Sequence, residues 1–207
     1  MQSLEEAELA IERGASAIGL VSAMPSGPGP ISEELIAEIA RGVPPGIATF
    51  LLTCLTDANM LIEQQQRCGA NTIQLCDAVD PWVYTTIRNT IPGVALVQVI
   101  HVRGQQSVTE ATEVAPHVDA ILLDSGNPSL SVKELGGTGR VHDWMLSRSI
   151  RDSVDVPVWL AGGLRPDNVA RAVDTVEPFG VDVCSGLRPN GQLDPWLLEE
   201  FFTALSA

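Results

Sequence analysis

The stretch that decides the fold reads Asp119-Ala-Ile-Leu-Leu-Asp-Ser-Gly-Asn127, and a polar loop then leads to Leu135-Gly-Gly-Thr-Gly139. The apolar run is typical of a strand buried on both faces, and Asp124 stands at its carboxyl end, where α/β folds place their chemistry. Glycines in the loop let backbone N–H groups approach an anion. We therefore expect a carboxylate beside an anion-binding loop. Taken alone, each feature also fits a cap or turn residue and a flexible loop.

Strands and helices alternate along the whole chain, seven strands with eight helices. A long βα series with short buried strands favours a parallel barrel over an open sheet. We therefore predict an α/β fold of the (β/α)8 TIM-barrel type, as a single domain over residues 1–207. The predicted strands are Ser16–Ser22, Ile47–Cys54, Asn71–Cys76, Ala95–Val102, Ala120–Asp124, Val156–Ala161 and Gly180–Cys184. The predicted helices are one beginning at Ser3, then Glu33–Arg41, Asp57–Cys68, Pro81–Asn89, Ser107–Ala115, Asp143–Asp152, Pro166–Val176 and Pro195–Ala204.

The series begins with a helix, since only two residues precede its capping residue Ser3. A complete barrel of this type has eight strands. We therefore predict an incomplete barrel whose first strand is missing, with a gap between Ser16–Ser22 and Gly180–Cys184. Unpaired strand edges are unfavourable unless they are covered. We predict that the N-terminal helix shifts, or that a second chain covers the gap in a homodimer.

Composition narrows the class of ligand. The 207 residues are 45% hydrophobic and 18% charged, which is ordinary for a globular domain. The net charge of −14 argues against nucleic acid as a partner, but backbone amides can still hold a small phosphorylated ligand. No apolar run is long enough to span a membrane, and the N-terminus does not resemble a signal peptide. The four cysteines lack metal-ligand spacing, so we predict reduced thiols in a cytoplasmic protein without a metal site.

Three glycine-bearing segments follow the last three predicted strands: Leu135-Gly-Gly-Thr-Gly139, Ala161-Gly-Gly-Leu164 and Cys184-Ser-Gly-Leu187. In a parallel barrel, loops at this position with a helix N-terminus behind them are the usual seat of a phosphate group. Ser185 adds a hydroxyl donor. A tight βα turn is the alternative for any one of these loops, but three converging loops favour phosphate binding.

Four segments together resemble phosphoribosylanthranilate isomerase, a (β/α)8 enzyme of tryptophan biosynthesis. They are Asp119-Ala-Ile-Leu-Leu-Asp-Ser125, Gly136-Gly-Thr-Gly-Arg-Val-His-Asp-Trp144, Val158-Trp-Leu-Ala-Gly-Gly-Leu-Arg-Pro-Asp-Asn-Val169 and Pro178-Phe-Gly-Val-Asp-Val-Cys-Ser-Gly186. Ala15-Ser-Ala-Ile-Gly-Leu-Val21 and Asn71-Thr-Ile-Gln-Leu-Cys76 match more loosely. The resemblance runs from Ser3 through nearly the whole chain.

The resemblance implies an Amadori rearrangement of an aminoaldose phosphate to an aminoketose phosphate, without metal or cofactor. A general acid protonates the furanose ring oxygen, and a general base removes the proton from C2′. By motif position Asp124 matches the acid. The residues that match the phosphate-binding region are Gly137, Thr138, Gly162, Gly163, Ser185 and Gly186. Gly136 is expected to contact substrate. His101, at the end of its strand, is expected either to contact substrate or to be a hydrogen-bonded structural histidine.

Two functional groups of the family have no counterpart in this sequence. The base is a cysteine in a Lys-Ile-Cys-Gly motif on the first strand, which is absent here. Cys184 on the neighbouring strand is the substitute we predict, with Cys54 and Cys76 at the ends of two other strands; a small buried side chain is the alternative role for each of these cysteines. Gly29 stands where the family has an arginine for the anthranilate carboxylate. A sugar-phosphate-binding barrel without catalysis therefore remains an alternative, as does an isomerase or epimerase of another sugar phosphate.

Overall fold

The structure, a computed structural model, describes residues 1–206. Seven parallel strands form one curled sheet in the order of the chain, with eight α-helices around it. The strands are β1 (Ala17–Val21), β2 (Ala48–Thr53), β3 (Thr72–Leu75), β4 (Ala95–His101), β5 (Ala120–Asp124), β6 (Val158–Leu160) and β7 (Gly180–Val181). The helices are α1 (Leu4–Glu12), α2 (Glu33–Gly42), α3 (Ala58–Cys68), α4 (Pro81–Thr90), α5 (Gln106–Val114), α6 (Trp144–Ser153), α7 (Val169–Val176) and α8 (Pro195–Leu205). The predicted incomplete TIM-type barrel is confirmed.

Alternation along each strand separates two apolar layers. In β5, Ile121 and Leu123 join the layer between the sheet and the helices. Leu122 joins the inner layer on the concave side, as do Val97 and Val99 of β4. Alternation therefore places Asp124, the last residue of β5, on the concave side of the sheet.

Helix ends follow ordinary capping chemistry. Asp143 accepts hydrogen bonds from the second and third backbone N–H groups of α6, and Asp57 and Asp194 do the same for α3 and α8. Such caps fix where each helix begins relative to the preceding strand, and so they fix the loops at the carboxyl edge. Across residues 1–206, no helix is both long and apolar enough to cross a bilayer.

The predicted gap is present. Among residues 1–206, β1 pairs only with β2 and β7 pairs only with β6, so the sheet does not close. The amino group of Met1 lies at the open edge of β1, where it donates a hydrogen bond to the carbonyl oxygen of Gly19 at 2.5 Å. Arg188 forms an ion pair with Glu6 of α1 and so links the two ends of the chain. Covering of the gap by a shifted helix or a second chain stays a prediction.

Three predicted elements have ends that differ from the structure by two or three residues. Helix α7 begins at Val169 and not at Pro166, because the Asn168 side chain holds the preceding segment in a turn: it accepts from the Arg165 N–H at 2.8 Å and donates to the Gly163 carbonyl at 3.0 Å. The last two strands are shorter than predicted, with three residues in β6 and two in β7. The pairing of β7 with β6 ends at Val181, so Cys184 lies beyond the strand.

Candidate functional site

Asp124 is the buried carboxylate at the carboxyl edge of the sheet. It ends β5, opposite His101 in the β4–β5 register, and only 7% of its surface is exposed. Its Oδ1 accepts a hydrogen bond from the backbone N–H of Ser125 at 2.7 Å. This bond fixes the carboxyl group while leaving Oδ2 for other contacts.

The loop that follows β5 folds back over this carboxylate. The hydroxyl groups of Ser125 and Thr138 are 2.7 Å apart and hydrogen-bonded. Glycine is required on both sides of the carboxyl group. A Cβ on Gly136 would lie 2.8 Å from Oδ2, and one on Gly162 would lie 3.1 Å from Oδ1. The glycines therefore let two loops close on Asp124.

All three predicted glycine loops meet at one place. A Cβ on Gly163 would lie 2.6 Å from the carbonyl carbon of Arg140, and one on Gly186 would collide with the carbonyl oxygen of Leu164. A Cβ on Gly139 would lie 3.5 Å from the Ser185 hydroxyl oxygen. They enclose a cleft, here called the mouth cleft, lined by Asp124, Gly137, Thr138, Gly139, Ala161, Gly162, Gly163, Leu164, Asp182, Val183, Cys184 and Ser185.

Most of the predicted phosphate-binding residues line the mouth cleft. Gly137, Thr138, Gly162, Gly163 and Ser185 are part of its wall. Gly186 lies directly behind it, in the short 3₁₀ turn that begins at Ser185. Gly136, predicted to contact substrate, lies against the Asp124 carboxyl group. Their binding roles stay predictions.

His101 is at the mouth but does not line the cleft. Its ring is buried, with 5% of its surface exposed, and Nε2 lies 3.0 Å from the carbonyl oxygen of Cys76. Gly126 packs directly on the Nδ1 side of the ring, and Nδ1 has no hydrogen-bond partner among the described residues. Contact between His101 and a substrate stays a prediction.

Cys184 lines the cleft as a thiol. Burial raises its pKa, and the nearby Asp182 carboxylate raises it further. A thiolate is the form of cysteine that acts as a base. Cys184 is therefore in surroundings that oppose the form needed, and its role as substitute base stays a prediction. Burial raises the pKa of Cys76 as well.

Asp182 is a second carboxyl group of the cleft, and the sequence analysis missed it. Burial raises the pKa of Asp182 to about 6, and the Asp124 carboxylate adds to this rise. A signal was present in the sequence, because Val181-Asp-Val183 places one carboxylate in an apolar strand two residues after Gly180. Alternation from Gly180, which packs on the ring of Trp159, turns Asp182 to the concave side.

His142 is the other missed residue. It precedes the N-cap of α6, and its Nδ1 would lie 3.0 Å from a Cβ on Gly162, a position that is also close to Oδ1 of Asp124. Burial lowers the pKa of His142, although Asp124 and Asp143 act in the opposite direction. No local pattern in the sequence indicates this proximity, because it depends on Gly162 having no side chain.

The loop after β1 closes the site from the other side. Pro28 packs on Gly137, where a Cβ would lie 2.6 Å from the proline Cδ. Gly29, at the family's arginine position, has no charged group to offer an anthranilate carboxylate. Among the residues that line the mouth cleft there is no lysine or arginine, so backbone N–H groups and hydroxyls are its anion-binding groups.

Comparisons of the sequence and the fold with known proteins point to one family. The sequence model of the family described as N-(5'phosphoribosyl)anthranilate (PRA) isomerase matches residues 1–204. The N-(5'-phosphoribosyl)anthranilate isomerase of Haloferax volcanii is 38% identical over 179 residues, which are 86% of this chain and 77% of that protein. The isomerase of Halobacterium salinarum is 35% identical over 203 residues, which are 96% and 89% of the two chains.

Solved structures have the same fold. Phosphoribosyl anthranilate isomerase from Thermotoga maritima superposes with a TM-score of 0.82 at 27% identity, over 100% of this chain and 95% of that one. A phosphoribosyl anthranilate isomerase in complex with reduced 1-(o-carboxyphenylamino)-1-deoxyribulose 5-phosphate has a TM-score of 0.79 at 25% identity, with the same coverage. The cleft geometry, the sequence and the fold agree, and the chain belongs to the phosphoribosylanthranilate isomerase family.

Proposed function

We propose that this chain catalyses the rearrangement of N-(5'-phosphoribosyl)anthranilate to the aminoketose phosphate. The observation that carries the proposal is the buried Asp124 carboxyl group in a cleft where three glycine loops meet. The structural relative described above holds a phosphorylated analogue of such a compound. That relative supports a phosphorylated sugar as the class of substrate.

In this proposal Asp124 is the general acid. It gives its proton to the furanose ring oxygen and opens the ring, and a base then removes the proton from C2′. The phosphate accepts hydrogen bonds from backbone N–H groups and from two hydroxyls of the glycine loops. The residues proposed for this task are Gly137, Thr138, Gly162, Gly163, Ser185 and Gly186. His101 and Gly136 are proposed to contact the rest of the substrate.

The identity of the base distinguishes the candidate functions. Cys184 is the candidate within the chain, although its surroundings raise its pKa. The open edges of β1 and β7 favour a second candidate function, in which the barrel binds a sugar phosphate without turning it over. Gly29 favours a third, the isomerisation or epimerisation of a sugar phosphate that lacks anthranilate.

Turnover of phosphoribosylanthranilate, followed by its fluorescence, tests the proposal. We expect turnover by this chain and a loss of about 100-fold or more in kcat for Asp124→Asn, the usual size of a general-acid contribution. Asp155→Asn, at an exposed position far from the mouth, is the matched control. Equal rates for Asp124→Asn and the control would contradict the assigned acid. The same assay on Cys184→Ser tests the substitute base.

A chain extended by Lys-Ile-Cys-Gly before Met1 gives the complementary test. If neither this chain nor the extended chain turns the substrate over, while a ribose-phosphate analogue binds both, the barrel binds its ligand without catalysis. If only the extended chain is active, the isomerase reaction depends on a strand in the gap. Both results exclude Cys184 as a sufficient base.

Three further assignments belong to the same proposal. Residues 1–207 form one domain, supported by a single sheet whose strands follow the order of the chain. The chain forms a homodimer that covers the gap; one of the fold's relatives is described as a dimeric enzyme from Thermotoga maritima. The protein is cytoplasmic and uses no metal or cofactor, as the family resemblance implies. Sedimentation velocity tests the second of these assignments.

A further inference from the structure

His142 lies near Asp124, and among the described residues only one of its two ring nitrogens has a hydrogen-bond partner. Its Nε2 is 2.8 Å from the hydroxyl oxygen of Ser147, and that hydroxyl donates its single hydrogen to the carbonyl oxygen of Asp143 at 3.3 Å. If Ser147 keeps that bond, it accepts from Nε2, and in this tautomer the ring carries its hydrogen on Nε2. The other nitrogen, Nδ1, is then a bare acceptor.

This bare nitrogen is buried and has no hydrogen-bond partner among the described residues. It lies 3.0 Å from the point where a Cβ on Gly162 would stand, and Oδ1 of Asp124 lies 3.1 Å from the same point. Because residue 162 is glycine, no side chain separates the two groups. The two groups therefore border the same space, across which one bridging water can join them by hydrogen bonds.

The charges around the ring are all negative. Asp124 faces it from β5, Asp143 lies at the N-terminus of α6, and Asp182 faces Asp124 from the end of β7. Burial nevertheless lowers the pKa of His142, so the ring is neutral at pH 7. A neutral ring with a bare nitrogen accepts a hydrogen bond from a protonated carboxyl group and repels the lone pairs of a carboxylate.

We propose that His142 is a positioning residue for Asp124, whose bare Nδ1 accepts the hydrogen bond of the protonated carboxyl group and thereby favours the acid form. The inference rests on the proposed function of Asp124 as the general acid, which must carry a proton at neutral pH before it can donate one. In the reaction that proton passes to the ring oxygen of the sugar. The carboxylate left behind regains a proton from solvent before the next turnover.

Two amide variants separate this role from a purely structural one. His142→Asn places a carbonyl oxygen close to the position of Nδ1 and gives up the contact with Ser147. His142→Gln keeps a donor for Ser147 and gives up the acceptor near Asp124. His117→Gln is the matched control, because that ring stacks on Tyr84 away from the mouth.

The first readout is the pH profile of kcat, whose alkaline limb reports loss of the proton from the acid. We expect His142→Gln to move this limb to lower pH by about one unit, with the Asn variant and His117→Gln close to the wild-type chain. A Gln variant like wild type together with an impaired Asn variant would mean that His142 only supports the start of α6, which overturns the proposal.

The second readout does not depend on turnover. NMR of ¹³C-labelled aspartate follows the Asp124 carboxyl group, which is identified by the signal that Asp124→Asn lacks. We expect it to titrate at lower pH in His142→Gln than in wild type, His142→Asn or His117→Gln. An unchanged titration overturns the proposal whether or not the protein is active. A changed titration without any turnover keeps the pairing and rejects the proposed function.

A ¹⁵N spectrum of the wild-type histidines covers the case in which a variant does not fold. The chain has only three histidines, so His142 is assigned by comparison with His101 and His117. We expect hydrogen on Nε2 and a bare Nδ1 at pH 7. Hydrogen on Nδ1 overturns the proposal without any variant.

Discussion

The two apolar layers of this protein differ in how complete they are. Outside the sheet, Ile18, Leu51 and Ile121 are fully buried beneath the helices. On the concave side, Leu52 and Trp159 are only partly buried, although they belong to the inner layer. A strand needs only its own helices to complete the outer layer, whereas the inner layer requires a closed ring of strands. The gap between β1 and β7 therefore leaves the inner layer open.

The same difference runs through the mouth. Neighbouring strands β5, β6 and β7 bring together Asp124 and the three glycine loops, because pairing along this side is continuous. The open side lies between β7 and β1, whose outer edges do not pair with each other among residues 1–206. The described sheet thus brings together the groups that neighbouring strands supply.

Two adjacent leucines of β2 allow the contributions of the two apolar layers to stability to be compared directly. Leu51 faces the helices and is fully buried, while Leu52 faces the open concave side. We expect Leu51→Ala to lower the free energy of unfolding by about 2–5 kcal/mol, as for a sealed core. Leu52→Ala should cost about 1 kcal/mol, because its site is open and leaves a smaller cavity.

Urea unfolding of the two variants measures these values on the same strand and residue type. Equal losses would mean that the inner layer is sealed in solution, by a second chain or by another segment. Repeating the measurement at several protein concentrations separates those cases, since only association makes the loss depend on concentration.

A smaller effect is expected at Asp182, which lies next to the open edge. Its folded-state pKa of about 6 lies above the ordinary value of 3.8, so the folded protein holds a proton that the unfolded chain releases between these pH values. The free energy of unfolding therefore falls as pH rises from about 4 to 6, and the penalty is complete above pH 6.

Asp182→Asn removes that penalty. We expect the variant to be more stable than wild type by about 1–3 kcal/mol at pH 7 and equally stable below pH 4. Thermal unfolding over this pH range measures the difference, with Asp155→Asn as the exposed control. A constant difference at every pH would show that the carboxyl group is ionised without penalty, which would mean water reaches it freely through the gap.

The contrast between the layers also explains what the sequence could predict. Strand order, strand number and the gap could be predicted from local patterns. The pattern of apolar and polar residues in each βα unit indicates the type and the length of its elements. The glycine loops and Asp124 were found for the same reason, since each is a short motif at a strand end. The start of α7 was missed because the Asn168 side chain, rather than Pro166, decides where the turn ends.

His142 could not be found in that way, and the one sign of Asp182 was a carboxylate within the apolar stretch Val181-Asp-Val183. Each residue acquires its surroundings from another strand. His142 reaches Asp124 only across the space left by Gly162, and Asp182 has a raised pKa only because burial and Asp124 act together. Such pairings arise from the curvature of the sheet, which one sequence does not specify.

The smallest effect on stability is expected at Phe179, which precedes β7. Its ring is 69% exposed and packs edge-on against Trp159 of the inner layer, with centroids 5.6 Å apart. Phe179→Ser removes little buried area, so we expect a loss of about 0.5 kcal/mol or less in a monomer.

If a second chain covers the open side, the same ring is buried in the interface and its loss weakens association. Sedimentation velocity on wild type and variant then shows a shift from dimer to monomer. The exposed Trp82 of α4, on the closed side of the sheet, supplies the control: Trp82→Ser should leave the sedimentation coefficient unchanged. A wild-type monomer would contradict the homodimer. The inner layer would then be open to water, in agreement with the partial burial of Leu52 and Trp159.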